Sequence, residues 1–395
     1  MQSVTILGST GSIGVNTLDV IASHRDRFKV FALSANNNVD LLLEQCRTMQ
    51  PKFAVMYDKD AAQKLKAGLD GAGIEVLSGT EGLEIIASHE EVDCVMAAIV
   101  GGIGLSPTFA AVQAGKKVLL ANKEALVMAG SIFMNVVAAS DAVLMPIDSE
   151  HNAMFQCLPV NKWARFENQD HDGFKKIVLT GSGGPFLNAE PGSLASVTPD
   201  QACAHPNWNM GRKISVDSAT MVNKSLELIE ACYLFKVDES CIEIMIHPQS
   251  IVHSMVYYRD GSVLAQMGNP DMRTPISYGL AWPERIEAGV RDLDLIEVGA
   301  LDFQKPDLER FPCLKLGRQA AKTGQSAPII LNAANEMAVA AFLAGTLRFD
   351  QIPDIIDAAL QEQPVTRTES LAQVLEVDRK ARELGAGLLK KAAKI

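Results

Sequence analysis

Between residue 3 and about residue 147, short apolar runs (VTIL, KVFAL, FAVM, DCVMAAIV, KVLL and AVLMPI) alternate with longer amphipathic stretches. Runs that are apolar at nearly every position suit strands buried on both faces, and the stretches between them are long enough for the helices that parallel strands need as crossovers. The alternation restricts this part of the chain to βαβ units around one parallel sheet. Composition agrees: hydrophobic residues make up 48% and aromatic ones 6%, so the interior is aliphatic, as in α/β and helical proteins rather than sandwiches.

Past Glu150 the texture changes. The strand-like KIVLTG precedes a loop rich in Gly, Pro and Trp, and SATMVNKSLELIEACYLF reads as one helical stretch. CIEIMI, IVHSMVYY and SVLAQM read as strands, with Asp260-Gly261 marking a tight hairpin between the last two. Prolines and short charged pieces then suggest a connecting segment, and the remainder carries apolar residues at a spacing near 3.6, as helices do. The expected organisation is a nucleotide-binding domain over 1–149, an α+β domain over 150–284, a linker over 285–312 and a helical bundle over 313–395.

A formal charge of −11 argues against a nucleic-acid partner, whose phosphates need a surplus of Lys and Arg. The seven cysteines are scattered, odd in number and without a C-x-x-C pair, which suits core filler in a reducing compartment and gives no metal signature. MQSVTILG opens directly as a strand with no targeting signature, and no apolar stretch approaches twenty uninterrupted residues, so the expectation is a soluble, cytoplasmic protein away from membranes.

VTILGSTGSIGVNTLDVI reads as strand, turn and helix, with Gly8, Gly11 and Gly14 spaced G-x-x-G-x-x-G. Glycines there let backbone N–H groups approach a pyrophosphate at the positive end of a helix, so the motif points to a dinucleotide, although the common spacing is G-x-G-x-x-G. After the second strand, Ser34, Asn36, Asn37 and Asn38 offer donors where an NAD site would place an acid, which favours NADP; three asparagines also simply make a turn. AAIVGGIGL forms a second glycine-rich strand end, and Lys123 follows another, where it faces either the site or solvent.

LMPIDSEHNAMFQ sets Asp148 and Glu150 directly behind a buried strand. Either Asp148 or Ser149 caps a helix starting near Glu150, or the two acids, pointing the same way in extended geometry, grip one cation. Asn223, Lys224 and Glu227 lie on neighbouring positions of one helix face, with Glu227 as a third carboxylate; the alternative is a surface pair between Lys224 and Glu227. A carboxylate site open to water suits Mg²⁺ or Mn²⁺. LTGSGGPF, with Ser182 between glycines, looks like an anion-binding loop, and Ser218 is expected at the N-terminal end of its helix as a cap or phosphate ligand. Trp208, amid polar residues in AHPNWNMGRK, reads as an aromatic lid on a flap over about 204–214.

VTILGSTGSIG, LLANKEALV, PIDSEHNA, LTGSGGPF, AHPNWNMGRKISVDSATMVNKSLELIEA, HPQSIVHSMV, GNPDMRTPI and LNAANEMAVAAFL, taken in order, resemble the 1-deoxy-D-xylulose 5-phosphate reductoisomerase family. The resemblance implies a Rossmann-like doubly wound sheet, a central α+β catalytic domain and a C-terminal helical bundle. It also implies an enzyme that uses NADPH and Mn²⁺ or Mg²⁺ to isomerise and reduce a sugar phosphate in isoprenoid precursor synthesis, as a homodimer. Carried over by position, Asp148, Glu150 and Glu227 would bind the metal, with Lys123 beside the substrate oxygens and His151 supporting the site. Ser149, Ser182, Ser218, Asn223 and Lys224 would hold the substrate, and His205, Trp208 and Met210 would close over it. Cofactor contacts would fall on Gly8, Ser9, Thr10, Gly11, Ser12, Ile13, Ala35, Asn36, Asn37, Asn38, Ala98, Asn122, Glu124 and Gly211, while His253 stays structural. SANNN lacks the Lys that many members carry after the second strand. The rival readings are an NADP-dependent dehydrogenase of another small phosphorylated substrate and a non-catalytic nucleotide sensor, neither of which needs the metal trio.

Overall fold

The computed structural model describes residues 1–160, 173–208 and 210–392. Seven strands form the first sheet: β1 (Gln2–Leu7), β2 (Phe28–Ala35), β3 (Phe53–Met56), β4 (Glu75–Ser78), β5 (Cys94–Ala97), β6 (Lys117–Leu120) and β7 (Val143–Pro146). They are all parallel, in the order β4-β3-β2-β1-β5-β6-β7. Six match the apolar runs of the sequence. β4 was not expected, because EVLS lies at the sheet's edge, is incompletely buried and carries no continuous apolar signal.

From β1 the chain winds outward to β4, then returns to β5 on the other side of β1. The reversal opens a crevice at the carboxyl ends of β1 and β5, the usual ligand position in such sheets. Gly8 ends β1 with φ +83°, and a Cβ on it would stand 2.8 Å from the Ala98 carbonyl oxygen beyond β5. Only glycine accepts both that backbone angle and that approach. Gly11 is the N-cap of the helix Ser12–Ser23, which starts at the crevice.

A second, four-stranded sheet runs β11-β10-β8-β9, with β8 (Phe174–Gly181), β9 (Ile242–Ile246), β10 (Val252–Tyr258) and β11 (Val263–Met267). β8 and β9 are parallel, while β10 pairs antiparallel with β8 and β11. The hairpin is where Asp260-Gly261 placed it: Gly261 has φ +90° and Asp260 Oδ1 accepts from the Ser262 N–H at 2.9 Å.

The single helical stretch expected after Ser218 is two helices, Arg212–Ala219 and Val222–Leu234. Met221 between them is left-handed (φ +62°), and the Thr220 hydroxyl donates to the carbonyls of Val216 and Asp217 and accepts from the Val222 N–H at 3.4 Å. Such local side-chain bonding competes with the helix ladder and breaks it. The expected C-terminal helices are present as Cys313–Thr323, Ala327–Leu343, Ile352–Glu362 and Leu371–Ala392. Their core, however, is not their own: one buried cluster runs from Leu120 and Phe133 through Val216 and Ile229 to Ile330, Phe342 and Val374. The segment expected as a linker contains the helix Leu295–Val298, and Gln304 adds to the edge of β9 through paired 2.9 Å bonds with Ile246. Among the described residues no helix is long and apolar enough to cross a membrane.

Candidate active site

Three elements bring the acidic trio together. β7 ends at Pro146 and delivers Asp148 as the N-cap of the helix Ser149–Cys157, whose first turn carries Glu150; Glu227 comes from the middle of Val222–Leu234. The extended geometry expected for Asp148 and Glu150 is therefore wrong: one precedes the helix and the other is in it. Neither expected cap is made either, since Asp148 forms no side-chain cap bond and the Ser149 hydroxyl donates to Glu150 Oε2 at 2.5 Å. Ligand oxygens of Asp148, Glu150 and Glu227 nevertheless all lie within 4.8 Å of one another.

Two lysines stand among these acids. Lys123 begins the helix Lys123–Ala139 and is 6% exposed, so it is no solvated surface group. Its Nζ ion-pairs with Asp148, lies 3.3 Å from Glu227 Oε1 and donates to Asn223 Oδ1 at 2.8 Å. Lys224 pairs with Glu150 and, at 2.6 Å, with Glu227 Oε2; Glu227 is fully buried, which excludes the surface-pair reading. Burial pulls both ammonium groups down, but the carboxylates outweigh it and leave both above the ordinary lysine range. Burial, and after it Glu150, pushes Glu227 up to about 8.

Glu230, one turn beyond Glu227, is a site residue that the sequence reading missed. It is 1% exposed, stands 3.5 Å from His151 Nε2 and is raised to about 7, first by burial. His151 is fully buried, its Nε2 2.9 Å from the Glu227 carbonyl oxygen. The only local signal was the i, i+3 spacing of two glutamates in LELIEA, which most helices carry on their solvated face. Four carboxyl groups (Asp148, Glu150, Glu227, Glu230) thus surround two ammonium groups, Lys123 and Lys224. An all-oxygen donor set with that imbalance fits a hard divalent cation such as Mg²⁺ or Mn²⁺.

Beside the acids lies a group of polar side chains. Ser182 Oγ is 3.0 Å from His205 Nε2 and accepts from the Gly184 N–H at 3.1 Å. A Cβ on Gly184 would stand 2.9 Å from the Ser218 carbonyl oxygen, and one on Gly181 would meet the Lys224 side chain at 2.8 Å, so the Ser182 loop packs against the Ser218 backbone and the Lys224 stem. Ser218 sits in the last turn of Arg212–Ala219 rather than at a helix N-terminus, which removes the capping role. His205 Nδ1 accepts from the N–H groups of Asn207 and Trp208, and burial, then Lys224, lowers its pKa to about 4. Asn207 anchors the segment to the Pro248 carbonyl oxygen (2.7 Å) and Ser250 Oγ (2.9 Å). Trp208 is half-buried, its ring 6.3 Å from that of the buried His253, and Met210 is half-buried as well.

Thr10, Gly11, Ser12 and Ile13 line the start of helix Ser12–Ser23, and Ala35 and Ala98 end or follow β2 and β5 at the crevice. Ser9 is turned away: its hydroxyl donates to Gln45 Oε1 at 2.7 Å. Ser34, expected as a cofactor donor, is also used internally, accepting from the Gly8 N–H at 3.0 Å. Asn36, Asn37 and Asn38 are exposed beyond β2, though Asn38 Oδ1 accepts from the Leu41 N–H and caps the next helix. Asn122 is buried, donates to the Gly101 carbonyl and keeps Oδ1 without a partner among the described residues. Glu124 is buried and paired with Lys213, and Gly211 is exposed at a helix N-cap.

Family models described as 1-deoxy-D-xylulose 5-phosphate reductoisomerase match residues 4–130, and as its C-terminal domain residues 144–235; a model described as DXP reductoisomerase C-terminal domain matches 267–384. A protein of that name from Pseudomonas putida is 58% identical over 392 residues, covering 99% of this chain and 97% of the relative. One from Cellvibrio japonicus is 57% identical, covering 98% of each. A crystal structure of DOX-P reductoisomerase with NADPH, fosmidomycin and magnesium superposes with a TM-score of 0.96 at 47% identity, covering 99% of this chain and 98% of the other. The Zymomonas mobilis reductoisomerase with NADPH gives 0.90 at 44% identity, covering 98% of this chain and 99% of that one.

Proposed function

The chain belongs to the 1-deoxy-D-xylulose 5-phosphate reductoisomerase family and, from that premise, we propose how its residues divide the work. It converts 1-deoxy-D-xylulose 5-phosphate to 2-C-methyl-D-erythritol 4-phosphate with NADPH and a divalent metal, a step towards isoprenoid precursors. The observation that carries the division of roles is the convergence of Asp148, Glu150 and Glu227 on two buried lysines, beside the polar group of Ser182 and His205.

Asp148, Glu150 and Glu227 hold the metal, which when bound supplies Lewis-acid polarisation of the substrate's oxygens. Lys123 offers a buried positive charge to the same oxygens, where low dielectric strengthens it. Ser149 contacts the substrate from the first turn of its helix. Ser182, Ser218, Asn223 and Lys224 take the phosphate, so that binding energy far from the reacting carbons orients them. His151, held against the Glu227 carbonyl, keeps the two ligand-bearing helices in register. The segment with His205, Trp208 and Met210 covers the site and excludes water from the aldehyde that hydride must reach. Thr10 to Ile13, Gly8, Ala98, Asn122, Glu124 and Gly211 carry the dinucleotide, with Asn36 to Asn38 nearest its 2′-phosphate. The domain limits lie at 149, 284 and 312, with Lys123 and Asp148 reaching the site from the first domain, and the working form is a cytoplasmic homodimer.

The test is NADPH absorbance with the purified protein and 1-deoxy-D-xylulose 5-phosphate, first with Mg²⁺ or Mn²⁺ and then with the metal chelated. Oxidation that needs the metal is expected; oxidation that survives chelation would remove the carboxylate trio from the reaction.

A further inference from the structure

Lys213 lies in the first turn of Arg212–Ala219, at the C-terminal end of the covering segment. Its Nζ stands 2.8 Å from Glu124 Oε1 and 2.8 Å from Asp217 Oδ2, and those two carboxylates are 8% and 2% exposed. Asp217 Oδ1 in turn accepts from Asn335 Nδ2 at 2.8 Å, and Asn335 is fully buried in the helix Ala327–Leu343. The next residue, Glu336, is held by Arg382 at 2.6 Å and lies against the loop after β5, where a Cβ on Gly101 would come within 3.2 Å of its Oε1.

Glu124 and Asp217 therefore meet at one ammonium group, and Asn335 joins them through Asp217. Glu124 belongs to the same helical turn as Lys123, whose side chain faces the acidic trio, while Glu124 faces Lys213. Asp217 and Lys213 form the root of the covering segment. Asn335 brings in the helix Ala327–Leu343, which supplies none of the residues given to the metal or the phosphate. Lys213 is half-buried, at 24% side-chain exposure, but its two carboxylate partners are buried, so displacing the ammonium group leaves two charges without a partner out of water.

We infer that Lys213 is a positioning residue for the reaction: through Glu124 and Asp217 it fixes the root of the covering segment to the cofactor side of the site and to the helix Ala327–Leu343. Closure over substrate then starts from a set geometry, so less freedom is lost on reaching the reactive arrangement. The inference rests on the function proposed above and gives the C-terminal helices a part in it.

The experiment compares wild type with Lys213→Gln, Lys213→Arg and Asn335→Leu. It measures the NADPH Kd by fluorescence titration, kcat and KM for 1-deoxy-D-xylulose 5-phosphate at saturating Mg²⁺, and Tm. Lys213→Gln should lower kcat/KM for the sugar phosphate, measured at saturating NADPH, by about tenfold or more, a larger change than any in NADPH affinity. Asn335→Leu should act in the same direction but more weakly, and Lys213→Arg should recover most of the loss. A lower Tm with unchanged kinetics would overturn the inference, as would weakened NADPH binding with unchanged sugar-phosphate parameters. If Lys213→Gln does not fold, wild-type kinetics in Asn335→Leu overturns it. A wild type that oxidises no NADPH with this substrate and metal would refute the function itself, a result the variants cannot produce.

Discussion

Glu227 is the side chain on which the charges of the site depend most. It is fully buried, its Oε1 accepts from Asn223 and lies 3.3 Å from Lys123 Nζ, and its Oε2 accepts from Lys224 at 2.6 Å. Replacing it with glutamine keeps the volume and removes the charge, so Glu227→Gln should abolish metal-dependent turnover. NADPH titration of the variant should match wild type, because the crevice at β1 and β5 is built by other elements. His205 makes a second prediction. Burial and Lys224 hold its pKa near 4, below the ordinary 6.5, so the folded protein refuses a proton that the unfolded chain accepts. Its neutral packing on Ser182 is fully favourable above pH 6.5 and weakens as pH falls from 6.5 towards 4. Thermal unfolding of the ligand-free protein across that window should show a decline with acid that is shallower in His205→Gln; equal slopes would contradict it. At this scale the sequence was legible where position spoke, as for carboxylates behind a buried strand. It was silent on Glu230 and Lys213, whose meaning lies in partners such as His151 and Glu124 that are distant along the chain.

Helix Val222–Leu234 carries Asn223, Lys224 and Glu227, and its placement depends on one crossing. On Cys313–Thr323 a Cβ at Gly317 would stand 2.2 Å from Ser225 Cβ, and Ser225 Oγ donates to the Cys313 carbonyl at 2.8 Å. Gly317→Ala should therefore destabilise the protein by about 1–3 kcal/mol, as overpacking does, and should lower kcat/KM by displacing the residue next to Lys224. Gly387→Ala, on Leu371–Ala392 with nothing within 4 Å of the added Cβ, is the control and should stabilise slightly. Denaturant midpoints and initial rates of the two variants decide it; similar effects from both would refute the crossing argument. The elements themselves were mostly legible because apolar runs and 3.6-residue spacing are local signals. β4 escaped because an edge strand needs backbone partners more than apolar side chains. The break at Met221 escaped because a threonine bonding to its own turn leaves no mark on the apolar pattern.

For the whole molecule, the aliphatic composition indicated an α/β or helical interior, but a shared surface depends on which strand ends up outermost. β10 is interior, paired on both sides by β8 and β11, and offers no edge to a second subunit. The outer strand is β11, where Val263 and Leu264 are 42% and 49% exposed. An edge strand with exposed apolar residues and open backbone groups invites a partner strand or surface. β11 also packs against Ser149–Cys157, the helix that carries Ser149, Glu150 and His151, so a second subunit seated on β11 would steady that helix from behind. Leu264→Glu places a charge on this face at a position that is exposed in the single chain, so the fold should survive. Its mass by light scattering at micromolar concentration should fall from dimer to monomer, and turnover should fall with it while NADPH binding persists. A dimeric Leu264→Glu variant would move the interface away from β11, and a monomeric wild type would remove the homodimer altogether.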